Sequence, residues 1–291
     1  MNKFRGTGVA MVTPFLTDKK VDFAALERMV KYMEDGGVDY IVALGTTAET
    51  PCLSKEEKKD IVSCIVSNSS IPVVLGMSGN NTAELLNTMI STDLKGISAF
   101  LSAAPYYNKP TQEGIYQHFA AVAKESPLPI ILYNVPGRTG VNILPKTICR
   151  LASDFKNFIG VKEASGSVSQ IMQVVAEKPE GFTVISGDDG LTLPLISAGV
   201  EGVISVAANA FQKEWSTMVN ACLENKFEEA RKIHYKFLQS VELMFKNGNP
   251  AGIKEYLGQL GLTGKDLRLP LVNVEPSVAN EIAADIKRIS K

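Results

Sequence analysis

The chain has 291 residues, with 30 Lys and Arg against 31 Asp and Glu, a net charge of -1 and 45% hydrophobic residues. This balance, without any run of basic residues, argues against a protein that binds nucleic acid or an anionic membrane. We therefore expect a small-molecule partner. No stretch approaches the roughly 18 apolar residues of a membrane span and the N-terminal segment lacks a signal-peptide pattern, which predicts a cytoplasmic protein.

Eight short apolar runs typical of strands recur along the chain. They lie at residues 9–13, 40–44, 72–76, 98–102, 129–134, 158–163, 182–186 and 202–206. Segments with the apolar period of helices separate them, for example at residues 23–35 and 112–125. Runs that are apolar on both faces are typical of a parallel sheet covered on two sides. Eight successive strand–helix units predict an α/β fold, a (β/α)8 TIM barrel.

A doubly wound sheet, the alternative, would more often show a glycine fingerprint after its first strand. GTGVA at residues 6–10 lacks that spacing and precedes the first predicted strand, so we discount it. Ser54 followed by Glu57 predicts a capping box at a helix start. After about residue 226 the pattern changes to three helical segments without strands between them. We predict a catalytic barrel over residues 1–225 and a C-terminal helical appendage, packed on it, over residues 226–291.

Cysteine and histidine usage excludes several kinds of site. The only two histidines lie far apart, which argues against a multi-histidine metal site and a histidine-based triad. The four cysteines show no CxxC spacing, which argues against zinc, an iron–sulfur cluster and a disulfide framework. We therefore expect neither a metal nor a cofactor, and chemistry that uses Lys, Tyr, Thr, Arg or carboxylates.

In a (β/α)8 barrel the active site lies at the carboxyl ends of the strands, where several polar motifs follow the apolar runs. Lys162 ends the sixth run. A lysine at a strand end is most often a solvated charge. If Lys162 instead points into the barrel, its amine can form a Schiff base with a carbonyl substrate, an electron sink that needs no cofactor.

Three further strand ends carry candidates with two interpretations each. Thr46 and Thr47 either cap a turn or offer hydroxyl and N–H groups to a carboxylate. Tyr133 either fills the core or transfers a proton beside an imine. Arg138 is either a surface arginine or a bidentate partner for a substrate carboxylate.

Two pairs of neighbouring residues complete the candidates. Tyr106 and Tyr107 lie side by side on a loop and are typical of an interface. Asp188 and Asp189 are adjacent carboxylates without further ligands, so helix N-capping is a better interpretation for them than a metal site.

Taken together, these motifs resemble one known family. GTTAET, PYYNKPTQEG, YNVPGRTG, GVKEASG, SGDD, GVISV and NPAGIKEYLGQLGL occur in the order and at the spacing of the dihydrodipicolinate synthase family. This family belongs to the pyruvate-dependent class I aldolases, which also include N-acetylneuraminate lyase. The resemblance covers nearly the whole chain. The arginine in YNVPGRTG makes the chain more similar to the synthases than to the lyases, because the lyases lack an arginine there.

The resemblance implies a role for each candidate. Lys162 forms the Schiff base with pyruvate, while Thr46 and Thr47 hold the pyruvate carboxylate. Tyr133 acts as the acid/base, and Thr46 and Tyr107 complete a proton relay. In the family, the tyrosine that matches Tyr107 comes from a neighbouring subunit, which implies a dimer within a homotetramer.

The second substrate is also implied by the resemblance. Arg138 binds the carboxylate of L-aspartate 4-semialdehyde, and Gly187 and Ile204 contribute backbone contacts near the imine. The implied reaction is an aldol condensation followed by cyclisation, in the diaminopimelate route to lysine.

The chain departs from the family pattern at two places. Where the family motif reads GTTGE, this chain has Ala48 in place of the glycine. We infer a turn that is compatible with alanine. A pocket that binds inhibitory lysine in some members uses a histidine pair, where this chain has two lysines that would repel the ligand's ammonium group. We therefore predict weak or absent lysine inhibition. The matching positions are Thr50, Lys55, Lys58, Asn80, Glu84 and Tyr106.

Two alternatives stay open. Another pyruvate-dependent class I aldolase, such as a lyase for N-acetylneuraminate or 2-keto-3-deoxy sugar acids, would use the same lysine with a different aldehyde. A catalytically silent barrel that binds small acids would have no need for the full set of candidate side chains.

Overall fold

The structure is a computed structural model that describes residues 3–291. Within these residues, eight parallel strands close into a barrel in chain order, with the first strand hydrogen-bonded to the last. The predicted fold class is therefore confirmed. The strands are β1 Gly6–Ala10, β2 Tyr40–Ala43, β3 Val73–Gly76, β4 Ile97–Ala103, β5 Ile130–Asn134, β6 Phe158–Glu163, β7 Thr183–Ser186 and β8 Gly202–Ser205.

Helices cover the outside of the barrel. They are α1 Phe23–Asp35, α2 Lys55–Asn68, α3 Thr82–Ser91, α4 Gln112–Glu125, α5 Pro136–Thr139, α6 Pro145–Asp154, α7 Val168–Glu177, α8 Thr192–Ser197, α9 Gln212–Leu223, α10 Phe227–Lys246, α11 Ala251–Gln259 and α12 Pro276–Ile289. Short 3-10 turns follow β2 and β8, among them Thr46–Ala48 and Ala207–Asn209. Within residues 3–291, no helix has both the length and the apolar character needed to cross a bilayer.

The first strand begins earlier than the sequence predicts. It covers Gly6–Ala10, the GTGVA stretch, and not residues 9–13. Glycine makes this possible because the backbones approach closely: a Cβ on Gly202 would lie 2.1 Å from the Gly6 carbonyl oxygen. A Cβ on Gly8 would lie 2.3 Å from the Tyr40 ring. The glycines therefore mark the strand itself, where they make room for its neighbours.

Alternation along the strands separates two apolar cores. One set of side chains faces the helices, and the other fills the barrel interior, including Val42, Leu101, Ile131 and Ile185. This interior is a packed core, so a substrate can enter only at the strand ends.

The start of α2 has the predicted capping box. The Glu57 N–H donates to Ser54 Oγ at 3.1 Å, and the Ser54 N–H donates to Glu57 Oε2 at 2.9 Å. Both donors would otherwise lack a partner at a helix start. The capping box fixes where the loop after β2 ends.

After residue 226 the chain forms α10, α11 and α12, the three predicted helical segments. Helix α10 packs against α8, α9, α11 and α12, and α11 contacts the 3-10 turn Ala207–Asn209 that follows β8. The C-terminal helices therefore reach the end of the barrel at which the strand-end motifs lie. The division of the chain at residue 225 stays a prediction.

Candidate active site

Lys162 lies in the barrel mouth and is not solvated. Its side chain is near the end of β6, with only 5% of the residue exposed, and it is the register partner of Tyr133 on β5. The Lys162 Nζ lies 4.5 Å from the centroid of the Tyr133 ring. Of the two interpretations that the sequence leaves open, the structure favours the buried amine.

The alternation of β6 explains this orientation. Val161 faces the helices and packs in the outer core. Glu163 is buried on the same outer side, where Oε2 accepts hydrogen bonds from Asn134 Nδ2 at 3.0 Å and from Gln170 Nε2 at 2.9 Å. Lys162, between them, must point inward. The buried partners of Val161 and Glu163 therefore fix the direction of the lysine.

Gly187 makes room for the lysine side chain. A Cβ at this position would lie 3.0 Å from Lys162 Cε and 2.6 Å from Ala164 Cβ. The Gly187 N–H donates to the Glu163 carbonyl at 2.8 Å, which holds the end of β7 beside β6. Ile204 on β8 is buried in the barrel interior. The structure thus places Gly187 directly against Lys162.

The two threonines form the 3-10 turn that follows β2. Thr46 is half-buried, whereas Thr47 is buried and its Oγ1 accepts a hydrogen bond from Asn249 Nδ2 at 3.0 Å. Ala48 is buried in the same turn, and the left-handed residue is the next one, Glu49, with φ 54°. The turn is therefore compatible with alanine at position 48, as inferred from the sequence.

Arg138 lies on α5, directly after β5, and its side chain is exposed. Its Nη2 donates to the Asn249 carbonyl oxygen at 3.3 Å. Asn249 thus contacts both Thr47 and Arg138, although sequence reasoning assigned no role to it. The available signal was the NPAGIK stretch, which matches the family motif and contains the start of α11.

Tyr107 follows β4 in the left-handed conformation, with φ 73°. It is 88% exposed, so its ring makes little contact with its own chain. Its N–H donates to the Thr139 carbonyl at 3.3 Å, which fixes the loop beside α5. Within this chain the structure does not bring the Tyr107 ring into the lysine site.

The two aspartates after β7 differ in role. Asp188 Oδ1 accepts the Leu191 N–H at 3.1 Å in the turn that leads into α8, whose N-cap residue is Leu191. Asp189 is buried and accepts hydrogen bonds from Ser205 Oγ at 2.5 Å and from the Val206 N–H at 2.9 Å. Burial raises the pKa of Asp189. The capping interpretation is wrong for Asp189, because its side chain connects β7 to β8.

The residues of the candidate lysine pocket lie on α2, α3 and the loops beside them. Thr50 Oγ1 donates to the Gly45 carbonyl at 2.9 Å, and Asn80 Nδ2 donates to the Tyr106 carbonyl at 3.2 Å. Lys55 and Glu84 are exposed. The pocket itself stays a prediction.

A closed (β/α)8 barrel with a buried lysine beside a tyrosine at its mouth defines a barrel enzyme with a lysine-centred site. The sequence model of the dihydrodipicolinate synthetase family matches residues 3–289, and the chain belongs to this family. The family is one of pyruvate-dependent aldolases of the lyase type.

Individual proteins agree with this assignment. The 4-hydroxy-tetrahydrodipicolinate synthase of Flavobacterium psychrophilum is 52% identical over 293 residues, which cover 100% of both chains. A dihydrodipicolinate synthase variant described as the first monomeric one is 36% identical, with a TM-score of 0.96 over 99% of this chain and 97% of that chain. The chloride-inhibited dihydrodipicolinate synthase from Acinetobacter baumannii, in complex with pyruvate, is also 36% identical, with a TM-score of 0.95 over 98% of this chain and 99% of that chain.

Proposed function

We propose that this chain is a 4-hydroxy-tetrahydrodipicolinate synthase, which condenses pyruvate with L-aspartate 4-semialdehyde through a Schiff base on Lys162. The observation that carries the proposal is the buried Lys162 amine beside the Tyr133 ring at the barrel mouth. The family membership and the similar synthases support the same reaction.

The first half of the reaction forms a nucleophile. The Lys162 amine attacks the pyruvate carbonyl carbon, and loss of water gives an iminium ion. This cation withdraws electrons, so a methyl proton leaves and an enamine forms. Thr46 and Thr47 hold the pyruvate carboxylate through hydroxyl and backbone N–H groups, which keeps the carbonyl carbon beside the amine.

The second half forms the carbon–carbon bond. The enamine carbon attacks the semialdehyde carbonyl, and the Tyr133 phenol protonates the alkoxide that results. The amine of the semialdehyde-derived chain then attacks the imine, which closes the ring and releases Lys162. Arg138 orients the second substrate through its carboxylate, because its planar guanidinium can bind both oxygens. Backbone contacts from Gly187 and Ile204 lie beside the imine.

A second copy of the chain is part of the proposal. Tyr107 is 88% exposed in one chain, which suits a side chain that enters the site of a neighbour and there joins Thr46 in a proton relay. We propose a homotetramer built from such dimers, with the cytoplasm as its location. Analytical ultracentrifugation of the protein at micromolar concentration measures the assembly.

The test is chemical trapping. Borohydride reduction in the presence of pyruvate should attach the three-carbon unit to the peptide that contains Lys162, and Lys162→Met should abolish it. The trapped protein is then compared with turnover of L-aspartate 4-semialdehyde. An adduct without semialdehyde turnover would move the assignment to another pyruvate-dependent aldolase, such as an N-acetylneuraminate or keto-deoxy sugar acid lyase. No adduct would reject the Schiff-base mechanism and favour a silent barrel.

A further inference from the structure

An ion pair without any solvent exposure lies behind the threonine turn. Lys254 on α11 donates from Nζ to Glu49 Oε1 at 2.5 Å, and both side chains are 0% exposed. Lys254 Nζ also donates to the Asp266 carbonyl at 2.9 Å and lies 4.1 Å from the centroid of the Phe15 ring. Glu49 Oε2 accepts the Arg268 N–H at 3.0 Å. Both charges therefore have several partners in the protein interior.

Stability alone is a weak explanation for such a pair. Two charges lose their hydration on burial, and an apolar pair of similar volume is often as stable or more stable. Burial lowers the pKa of Lys254, and the attraction of Glu49 opposes that shift. A role that depends on the precise position of Glu49 accounts for the pair better than stability does.

The backbone conformation of Glu49 connects this ion pair to the turn that contains Thr46 and Thr47. Its left-handed conformation, φ 54° and ψ 35°, is unfavourable for a residue with a side chain. The Glu49 N–H donates to the Thr46 carbonyl and closes the 3-10 turn, and the Glu49 carbonyl accepts the Cys52 N–H at 2.8 Å. The position of the Glu49 side chain is thereby linked to the backbone of Thr46 and Thr47.

The C-terminal segment also contacts this turn at a second point. Asn249, in the residues just before α11, donates to Thr47 Oγ1 at 3.0 Å across 202 residues of sequence. One segment therefore contacts the turn twice: Asn249 holds the Thr47 side chain, and Lys254 holds Glu49, the residue directly after the 3-10 turn. A turn held at both positions has little freedom to change its conformation.

We infer that Lys254 is a positioning residue, whose ion pair with Glu49 holds the Thr46–Thr47 turn in the conformation that binds the pyruvate carboxylate. The inference rests on the proposed function, since it assigns pyruvate to this turn. It makes the C-terminal helices part of the substrate-binding machinery and not only a cover for the barrel.

The test compares a single variant, a double variant and a control. Lys254→Met leaves Glu49 buried without its partner, which lowers stability as well as distorting the turn. Glu49→Leu combined with Lys254→Met removes both charges and should restore most of the stability. Lys246→Met is the matched control, because it removes another lysine of the C-terminal helices, whose pair with Glu281 at 2.7 Å is exposed.

The readouts are urea unfolding and the steady-state constants for each substrate. We expect the double variant to fold with near wild-type stability and to show a pyruvate KM raised about tenfold, with kcat and the semialdehyde KM within about threefold of wild type. Lys254→Met should show the same KM shift with lower stability, and Lys246→Met should show neither.

A folded double variant with a wild-type pyruvate KM would overturn the inference, as would equal changes in the constants for both substrates. If the double variant does not fold, the pair is structural and the inference is also overturned. Borohydride trapping and semialdehyde turnover of the wild-type protein separate these outcomes from failure of the proposed function, because that failure removes the Lys162 adduct or the turnover before any variant is made.

Discussion

Tyr133 and Lys162 are register partners on adjacent strands, and the lysine Nζ lies 4.5 Å from the centroid of the tyrosine ring. The pairing puts the aromatic ring against the amine before any substrate is bound. Because both residues are inside the barrel mouth, the phenol is close to any imine formed on the lysine. The packing of the ring can therefore be tested separately from the proton transfer that we propose for its hydroxyl.

Tyr133→Phe tests that separation. The variant keeps the ring and removes the hydroxyl, so we expect stability close to wild type and kcat about 100-fold to 1000-fold lower, within the range lost with a general acid. Pyruvate should still give an adduct on Lys162, but more slowly. Stopped-flow measurement of adduct formation and steady-state kinetics check this. A kcat within threefold of wild type would show that the phenol transfers no proton.

Gly187→Ala should disturb the lysine directly. The new Cβ would lie 2.6 Å from Ala164 Cβ, closer than carbon atoms approach in proteins, and 3.0 Å from Lys162 Cε, which is tighter than most contacts. We expect adduct formation with pyruvate to slow by about tenfold or more because the amine must move from its position. Gly79→Ala is the control, since its Cβ would be 3.5 Å from the nearest atom, which is ordinary contact. Equal adduct rates in the two variants would contradict the prediction.

Feedback by lysine should be weak or absent. Lys55 is exposed at the start of α2 and Lys58 is half-buried on the same helix. Two cations at these positions would oppose the ammonium group of a lysine ligand. Activity measured against increasing L-lysine should stay constant through the micromolar range. Replacing both residues with histidine removes the fixed charges, so sensitivity should increase in that variant. Inhibition of the unmodified chain by micromolar lysine would contradict the prediction.

Acid should destabilise the protein through His118. Burial on α4 lowers the pKa of His118 to about 4, while its Nδ1 lies 2.8 Å from Thr82 Oγ1. The unfolded chain binds the proton near the ordinary value of 6.5, so stability from this group is present above pH 6.5 and is lost as the pH falls toward 4. Between pH 7 and pH 5 this loss amounts to about 2 kcal/mol.

Urea unfolding at the two pH values measures the effect, at one protein concentration because assembly also contributes to stability. His118→Asn removes the titrating group and keeps a polar partner for Thr82, so its free energy of unfolding should change less between pH 7 and pH 5. An identical change in both proteins would assign the acid sensitivity to other groups.

Local patterns in the sequence predict most of the barrel. Most strands are short apolar runs and most helices show an apolar period, with a capping box at Ser54 and Glu57, so neighbouring residues carry the information. The order of polar motifs after the strands also places the candidate residues at one end of the barrel. The first and last residues of a strand are harder to predict from local patterns. The start of β1 at Gly6 depends on close approach to β8, which is far away in the sequence.

The tertiary structure decided the rest, because it depends on barrel closure and on contacts between distant segments. A lysine at a strand end can face either side, and only the buried partners of Val161 and Glu163 turn Lys162 inward. The NPAGIK motif draws attention to Asn249 and Lys254 but does not reveal their partners, since Thr47 and Glu49 lie 202 and 205 residues away. Chain folding brings these pairs together, and a local sequence pattern holds no record of such distant contacts.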